Sequence, residues 1–427
     1  MYPSRNTQIM NLVTSIKERC RVCYTCVREC PAKAIRISQG QAEVIPNRCI
    51  GCGNCVRVCS QNAKEVFSSI GQVTTLLESG AKVAALVAPS FPVEFDEFGA
   101  DTLVGMLRTL GFWSVHEVAF GADLVAREYQ RLLDENPASR YIATTCPALV
   151  TYIEYYHPEL ISHLAPIVSP MIAAARALRA TVGSHTRFVF IGPCIAKKSE
   201  AVDDDVPLEI DAVLTFSELR ELFSARGIRP AKCAPSQFDP PRAGTGRLFP
   251  LVRGLLQTAN IPEDLITGDV IAADGRTNFV EAIREFERGT LQSRLLEILC
   301  CQGCIMGAGI TRDHPLFLRR SKVSSYVRSV LSTSPQTTAD PESISGIDLS
   351  RRFSNRDMRI AAPAYEEITA ILVKKGKHKK TDELNCGACG YETCRDHEIA
   401  IYKGLAENEM CLPYMIDKLR LTIKELE

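Results

Sequence analysis

Between residues 80 and 330 the chain alternates short, wholly apolar runs with longer stretches in which apolar residues recur every three or four positions. The run KVAALVA at 82–88 reads as a buried strand ended by Pro89. Residues 101–110 read as a helix stopped by Gly111. Residues 122–134 read as another, with apolar residues at Leu124, Val125, Leu132 and Leu133. Strands are expected at 140–144, 188–191, 211–214 and 270–273, and helices at 172–181, 218–225 and 280–288. The run LLEIL at 295–299 fits one more strand. This alternation predicts an α/β domain built on a sheet with parallel neighbours and helices on both faces. Residues 34–37 suit a strand of a small sheet. The Ser/Thr/Pro-rich stretch 332–346 suits a linker, and the tail 416–427 a short amphipathic helix.

Composition narrows the function classes. The 427 residues suffice for two or three domains. Lys+Arg and Asp+Glu are both 50, so nothing favours nucleic acid or an anionic membrane. The first 20 residues hold no apolar run of signal length, and no stretch reaches the roughly 18 apolar residues of a membrane span. A cytoplasmic protein is expected. The basic run 374–380 reads as a solvated tether.

Sixteen of the 18 cysteines fall into three sets, which in a chain of this length points to metal chemistry in a reducing compartment rather than to a disulfide framework. The first set is Cys20-x2-Cys23-x2-Cys26-x3-Cys30-Pro31 with Cys49-x2-Cys52-x2-Cys55-x3-Cys59. That doubled spacing is the one found in bacterial two-cluster ferredoxins, where the fourth cysteine of each run crosses to the other cluster. It assigns Cys20, Cys23, Cys26 and Cys59 to one [4Fe–4S] cluster, and Cys49, Cys52, Cys55 and Cys30 to a second. Structural zinc also uses Cys-x-x-Cys loops, but eight cysteines in this register disfavour it. The last set is Cys386-x2-Cys389-x4-Cys394 with Cys411. It resembles the small [4Fe–4S] domain of corrinoid iron–sulfur proteins and Rnf-type subunits, and implies a third accessory cluster. Gly387 and Gly390 suit a tight loop with N–H groups turned toward a cluster.

The central set is scattered. Cys146 follows the strand expected at 140–144, Cys194 the one at 188–191, and Cys301 and Cys304 follow 295–299. Cysteines just past the carboxyl ends of three strands are placed to converge where α/β sheets bind ligands. The bland alternative is ordinary buried cysteine, which is how Cys233 is read. The local motifs are Thr144-Thr145-Cys146-Pro147, Gly192-Pro193-Cys194-Ile195-Ala196-Lys197-Lys198-Ser199-Glu200 and Cys300-Cys301-Gln302-Gly303-Cys304-Ile305-Met306-Gly307. Together they resemble the three signatures of the [FeFe]-hydrogenase catalytic domain, preceded by the family's ferredoxin-like module.

The resemblance implies an H-cluster: a [4Fe–4S] cluster held by Cys146, Cys194, Cys301 and Cys304, with Cys304 bridging to a diiron site that carries CO, cyanide and an azadithiolate. It makes Lys197 the residue that hydrogen-bonds a cyanide, and Glu200, three residues on, its candidate orienting partner. It also implies H2 and protons as substrates, a redox partner such as ferredoxin or another subunit, and maturation proteins. The expected organisation is a ferredoxin-like domain at 1–75, the catalytic domain at 76–331, a linker at 332–380 and a C-terminal [4Fe–4S] domain at 381–427.

Three departures qualify the resemblance. Thr145 stands where the best catalysts place a proton-relay cysteine, and a hydroxyl is a far poorer acid than a thiol. Gly192 replaces a methionine and is expected to loosen the pocket. Cys300 offers a rival to Cys301, which is favoured as the ligand. The departures resemble sensory or regulatory branches of the family. The expected function is therefore an [FeFe]-hydrogenase of sensory or low-turnover type. The rivals are a Nar/Narf-like electron-transfer or cluster-assembly protein without the diiron site, and a regulatory subunit of a redox complex.

Overall fold

The computed structural model describes residues 10–206, 209–333 and 346–427. The chain divides into two compact units: one of residues 1–49, 53–67 and 357–427, the other of residues 50–52 and 68–356.

The larger unit holds two parallel sheets where the sequence suggested one. The first has four strands in the order Ser114–Glu117, Val83–Val87, Arg187–Gly192, Ala212–Thr215. The second has three, in the order Val270–Asp274, Leu295–Leu299, Tyr141–Ile142. Val83–Val87 is buried at every position, as expected for a strand covered on both faces. Helices Gly99–Leu110, Val118–Glu135, Pro170–Val182 and Phe216–Ala225 contribute Leu107, Val125, Ile172 and Leu219 to the same core. Local chemistry sets their ends. Gly111, at φ 116°, takes the left-handed conformation that stops the first of them. Thr215 and Glu218 form a capping box at the start of the last, with Glu218 N–H to Thr215 Oγ1 at 3.2 Å and Thr215 N–H to Glu218 Oε2 at 2.7 Å. Gly121 lets Val118–Glu135 approach Pro170–Val182, because a Cβ there would collide with the Pro170 carbonyl.

The smaller unit has two antiparallel pairs, Val13–Ser15 with Lys64–Val66 and Ile35–Ser38 with Gln41–Val44. The C-terminal cysteine set belongs to this same unit, although the sequence placed it in a domain of its own. Ile37 N–H donates to the Leu405 carbonyl at 3.0 Å, and the Glu407 carboxylate accepts from Gln39 and Gly40 N–H at 2.6 and 3.2 Å. The segment expected as a linker is divided in turn. Residues 334–345, most of the Ser/Thr/Pro-rich stretch, lie outside the described residues. Residues 347–356 pack in the larger unit, and 357–380 in the smaller. Among the described residues, no helix is long and apolar enough to cross a membrane.

Candidate active site

In the larger unit both sheets aim their carboxyl ends at one cavity with about 890 Å³ of atom-free space, including its open mouth. Cys146 follows the strand Tyr141–Ile142 and caps the helix Pro147–Tyr156, whose first residue is a proline that needs no N–H partner. Cys194 lies just beyond Arg187–Gly192. Cys300 and Cys301 directly follow Leu295–Leu299, and Cys304 opens the turn Cys304–Met306. All five cysteines line the cavity, with Thr145, Lys197, Met171, Phe190, Pro193 and Cys52. The sequence-predicted residues Thr145, Cys146, Cys194, Lys197, Cys301 and Cys304 thus line one cavity.

Two glycines make this convergence possible. Gly303, at φ 75°, turns the chain between Cys301 and Cys304 against the Pro250 carbonyl. Gly309 N–H donates to the Pro193 carbonyl at 2.8 Å, locking the third motif onto the second. Gly192 does not loosen the pocket as expected. A Cβ there would sit 2.6 Å from Phe190 and 2.8 Å from Ala88, so the Phe190 ring fills the methionine's space.

Burial sets the charge state of the cavity's thiols. Burial, then the neighbouring Cys146, pushes the Cys194 thiol up to about 11. Burial, then Cys194 and Cys146, pushes Cys304 well above the ordinary thiol range. Thiols gathered in an apolar pocket resist ionisation singly, whereas an iron–sulfur core accepts all of them as thiolates and removes that penalty. Five thiols lining one cavity form a soft, all-sulfur donor set of the kind that holds an iron–sulfur core. The donor set fits the group that the sequence resemblance implies.

Lys197 and Lys198 are adjacent but turn to opposite tasks. Lys198 is buried against Glu218 at 2.9 Å and the Val213 carbonyl at 2.8 Å, a structural tie. Lys197 faces the cavity, and its Nζ donates to Glu200 Oε2 at 2.7 Å and Ser169 Oγ at 2.8 Å. Glu200, almost fully buried, also accepts from Arg351 Nη1 at 3.0 Å. Arg351 reaches Asp203 at 2.8 Å, and Asp203 reaches Arg356 at 2.6 Å. The sequence reading missed Arg351 because it lay in the presumed linker. That stretch runs beside residues 166–168, through an Ile167–Ser350 bridge and a Val168 N–H bond to the Leu349 carbonyl at 2.9 Å.

Thr145 lies in the cavity wall, while Thr144 beside it is fixed: Tyr129 Oη lies 3.0 Å from Thr144 Oγ1 and accepts from its N–H at 2.8 Å. Burial pushes the Tyr129 phenol up to about 12. Cys300 is buried with its thiol hydrogen-bonded to that of Cys52, while Cys301 Sγ lies 3.8 Å from the Cys52 carbonyl.

In the smaller unit, Ala34 and Ala63 N–H groups donate to Cys30 Sγ at 3.2 Å and Cys59 Sγ at 3.3 Å. Tyr24, at φ 58°, occupies in the first run the left-handed place that Gly53, at φ 76°, fills in the second. Cys386, Cys389, Cys394 and Cys411 line a second cavity together with Lys377, Tyr391 and His397. The basic run before them is not a solvated tether throughout. Lys375 is buried on Glu398 at 2.9 Å, and Lys377 is hydrogen-bonded to Cys394. Charges this close to four thiols belong to the site, and their partners lie too far along the sequence for a charge pattern to announce them.

Comparison with known proteins gives three family matches. Residues 81–308 match the model described as iron only hydrogenase large subunit, C-terminal domain. Residues 12–60 match a 4Fe-4S dicluster domain, and residues 382–413 an Fe-S cluster domain. Iron hydrogenase 1 of Clostridium pasteurianum is 24% identical over 366 residues, covering 72% of this chain and 64% of that protein. The periplasmic [Fe] hydrogenase large subunit of Nitratidesulfovibrio vulgaris is 26% identical over 72% of this chain and 88% of its own length. A cytosolic Fe-S cluster assembly factor, NAR1 of Yarrowia lipolytica, is 25% identical over 33% of this chain and 32% of its own. Among solved structures, an [FeFe]-hydrogenase HydA1 from Chlamydomonas reinhardtii aligns with a TM-score of 0.52 at 20% identity, over 68% of this chain and all of that one.

Proposed function

Because the chain belongs to the iron-only hydrogenase large-subunit family, we propose that it is an [FeFe]-hydrogenase of low turnover or sensory role that interconverts 2H+ + 2e− and H2. The supporting observation is the cavity, where five cysteines meet the ammonium of Lys197. In this reading Cys146, Cys194, Cys301 and Cys304 would hold a [4Fe–4S] core with its diiron group, Cys304 being the ligand nearest that group by the family resemblance and Cys300 the rival to Cys301. When bound, that group supplies the metal centre at which protons and electrons combine.

The chain's own residues do the rest. Lys197, held by Glu200 and Ser169, presents a fixed cation to an anionic ligand, and each offsets the other's desolvation. Phe190, Met171 and Pro193 keep the wall apolar. Thr145, or a water beside it, would hand protons across where a thiol would do so faster. Electrons would arrive through the two ferredoxin-type clusters; Cys52, a ligand of the second run by its spacing, stands in the cavity wall. The third cluster would be a second port or a signalling element, read by another redox protein.

The likeness to NAR1 supports a second reading, a cluster-assembly or electron-transfer protein without the diiron group. Infrared spectroscopy of the anaerobically matured protein separates the two. Bands of metal-bound CO and cyanide that shift under H2 are expected. Their absence, despite full iron loading and a maturation system proven on a control hydrogenase, would leave the assembly reading.

A further inference from the structure

The last helix, Leu412–Leu426, buries none of its residues within its unit. Leu412, Ile416, Leu419, Ile423 and Leu426 are 40–83% exposed. Their spacing is four, three, four, three, which is the a/d spacing of a coiled-coil seam. In heptad terms Ile416 and Ile423 take the a positions, and Leu412, Leu419 and Leu426 the d positions. β-Branched residues at a with leucine at d favour two parallel strands. The polar face carries Asp417, Glu425 and Glu427 against Lys418, Arg420 and Lys424. Two copies of this helix would therefore meet without net repulsion, and a face so balanced lacks the basic excess of a membrane-surface helix.

We propose that this helix is a docking surface for the same helix of a second copy, forming a parallel two-stranded coil. The helix spans about 22 Å at 1.5 Å per residue. Its first core residue, Leu412, directly follows Cys411, which lines the third cysteine site. Helix axes in such a coil lie about 8–10 Å apart, so dimerisation would set the two third-cluster sites side by side at the head of the seam. This last consequence rests on the reading that Cys411 holds a cluster; the dimer itself does not. Paired sites of this kind would let one chain's redox state reach its neighbour.

Sedimentation of the full, cluster-loaded chain over a range of concentrations tests it. The expected result is twice the mass of one chain, reduced to one chain by Leu419→Asp. Leu421→Asp is the control: Leu421 is 62% exposed, more than Leu419 at 56%, yet lies off the seam, so this variant stays dimeric. A monomer at every concentration, a larger assembly, a dimer that survives Leu419→Asp, or equal loss in both variants would overturn the proposal. In the reduced dimer, magnetic broadening of the third cluster's electron paramagnetic signal is expected and is lost in Leu419→Asp. Unchanged broadening with the expected masses would refute the parallel arrangement alone, and absence of the signal would refute the cluster reading and leave the dimer standing.

Discussion

Glu200→Gln is the sharpest test of the buried charge network behind the cavity. Glu200 accepts from Lys197 at 2.7 Å and from Arg351 at 3.0 Å, and the carboxylate and the guanidinium are only 1% and 2% exposed. At an effective dielectric near 20, a contact of about 3 Å is worth roughly 5 kcal/mol before desolvation. Removing one member of a buried pair costs about 3–5 kcal/mol, because the partner keeps its charge and loses its compensation. Glutamine removes the carboxylate facing Lys197, while Arg351 keeps Asp203 at 2.8 Å, so the lower part of that range is expected. Arg351→Gln should cost less, about 2–3 kcal/mol, the scale of a charged hydrogen bond, since Glu200 keeps Lys197 and Asp203 keeps Arg356 at 2.6 Å. Urea unfolding followed by the fluorescence of Trp113, the single tryptophan, reads this unit selectively. The double variant should lose less than the sum of the singles by roughly 1–3 kcal/mol. Losses under about 1 kcal/mol, or additivity, would show that the network behaves as an exposed ion pair.

Four further outcomes are expected. Lys377→Gln removes a cation hydrogen-bonded to Cys394. It should lower the third cluster's potential by roughly 60 mV, about a tenfold change in a one-electron equilibrium, and a redox titration showing no downward shift would remove Lys377 from that site. Cys301→Ser should abolish the central cluster's spectroscopic signature while Cys300→Ser retains it, and the reverse result would hand the ligand role to Cys300. Glu297, buried with one carboxylate oxygen unpartnered, is pushed up to about 8. Its proton is kept in the folded state and released on unfolding, so the stability it confers is full below about pH 4 and is lost as pH rises through 8, at up to about 1.4 kcal/mol per pH unit; Glu297→Gln should flatten that slope, and an unchanged slope would place the titration elsewhere. Thr145→Cys should raise turnover at least tenfold, a cautious fraction of the roughly 10²–10⁴ that a placed general acid contributes, and an unchanged rate with intact CO and cyanide bands would show that the relay is not limiting.

What was legible in the sequence was local. The strand Val83–Val87 and the helix Gly99–Leu110 announced themselves by period and by Pro89 and Gly111, and the cysteine sets by spacings that a cluster imposes within a few residues. What was not legible depends on partners far along the chain. Ser114–Glu117 escaped notice because His116 and Glu117 read as polar, yet Glu117 is buried on Arg247, 130 residues away. The two sheets read as one because a parallel strand carries no mark of which sheet it joins. Lys375 and Lys377 read as solvated because Glu398 and Cys394 are brought to them only by folding, and Arg351 was hidden in the same way.

These particulars bear on why the proposed reaction would be slow. An H2 catalyst must deliver electrons and protons at matched rates. For electrons the chain offers two cysteine sets besides the central one, and the last packs against the first run of the other: Arg28 Nη2 donates to the Gly387 carbonyl at 3.0 Å, and a Cβ on Gly390 would stand 3.1 Å from the Tyr24 carbonyl. For protons the near wall offers Thr145 and, behind it, a Tyr129–Thr144 pair whose phenol burial holds protonated. Neither hydroxyl cycles its proton near neutral pH as a thiol can. The charged path from the cavity, Lys197 to Glu200 to Arg351 to Asp203 to Arg356, runs through guanidinium groups that do not deprotonate. It can therefore fix charge and geometry at Lys197 but cannot relay protons outward. In the proposed reading, ample electron sites with a poor proton relay would be the wrong balance for flux. They would be a workable balance for the proposed sensory role, in which a trace of H2 is converted into a stored redox state.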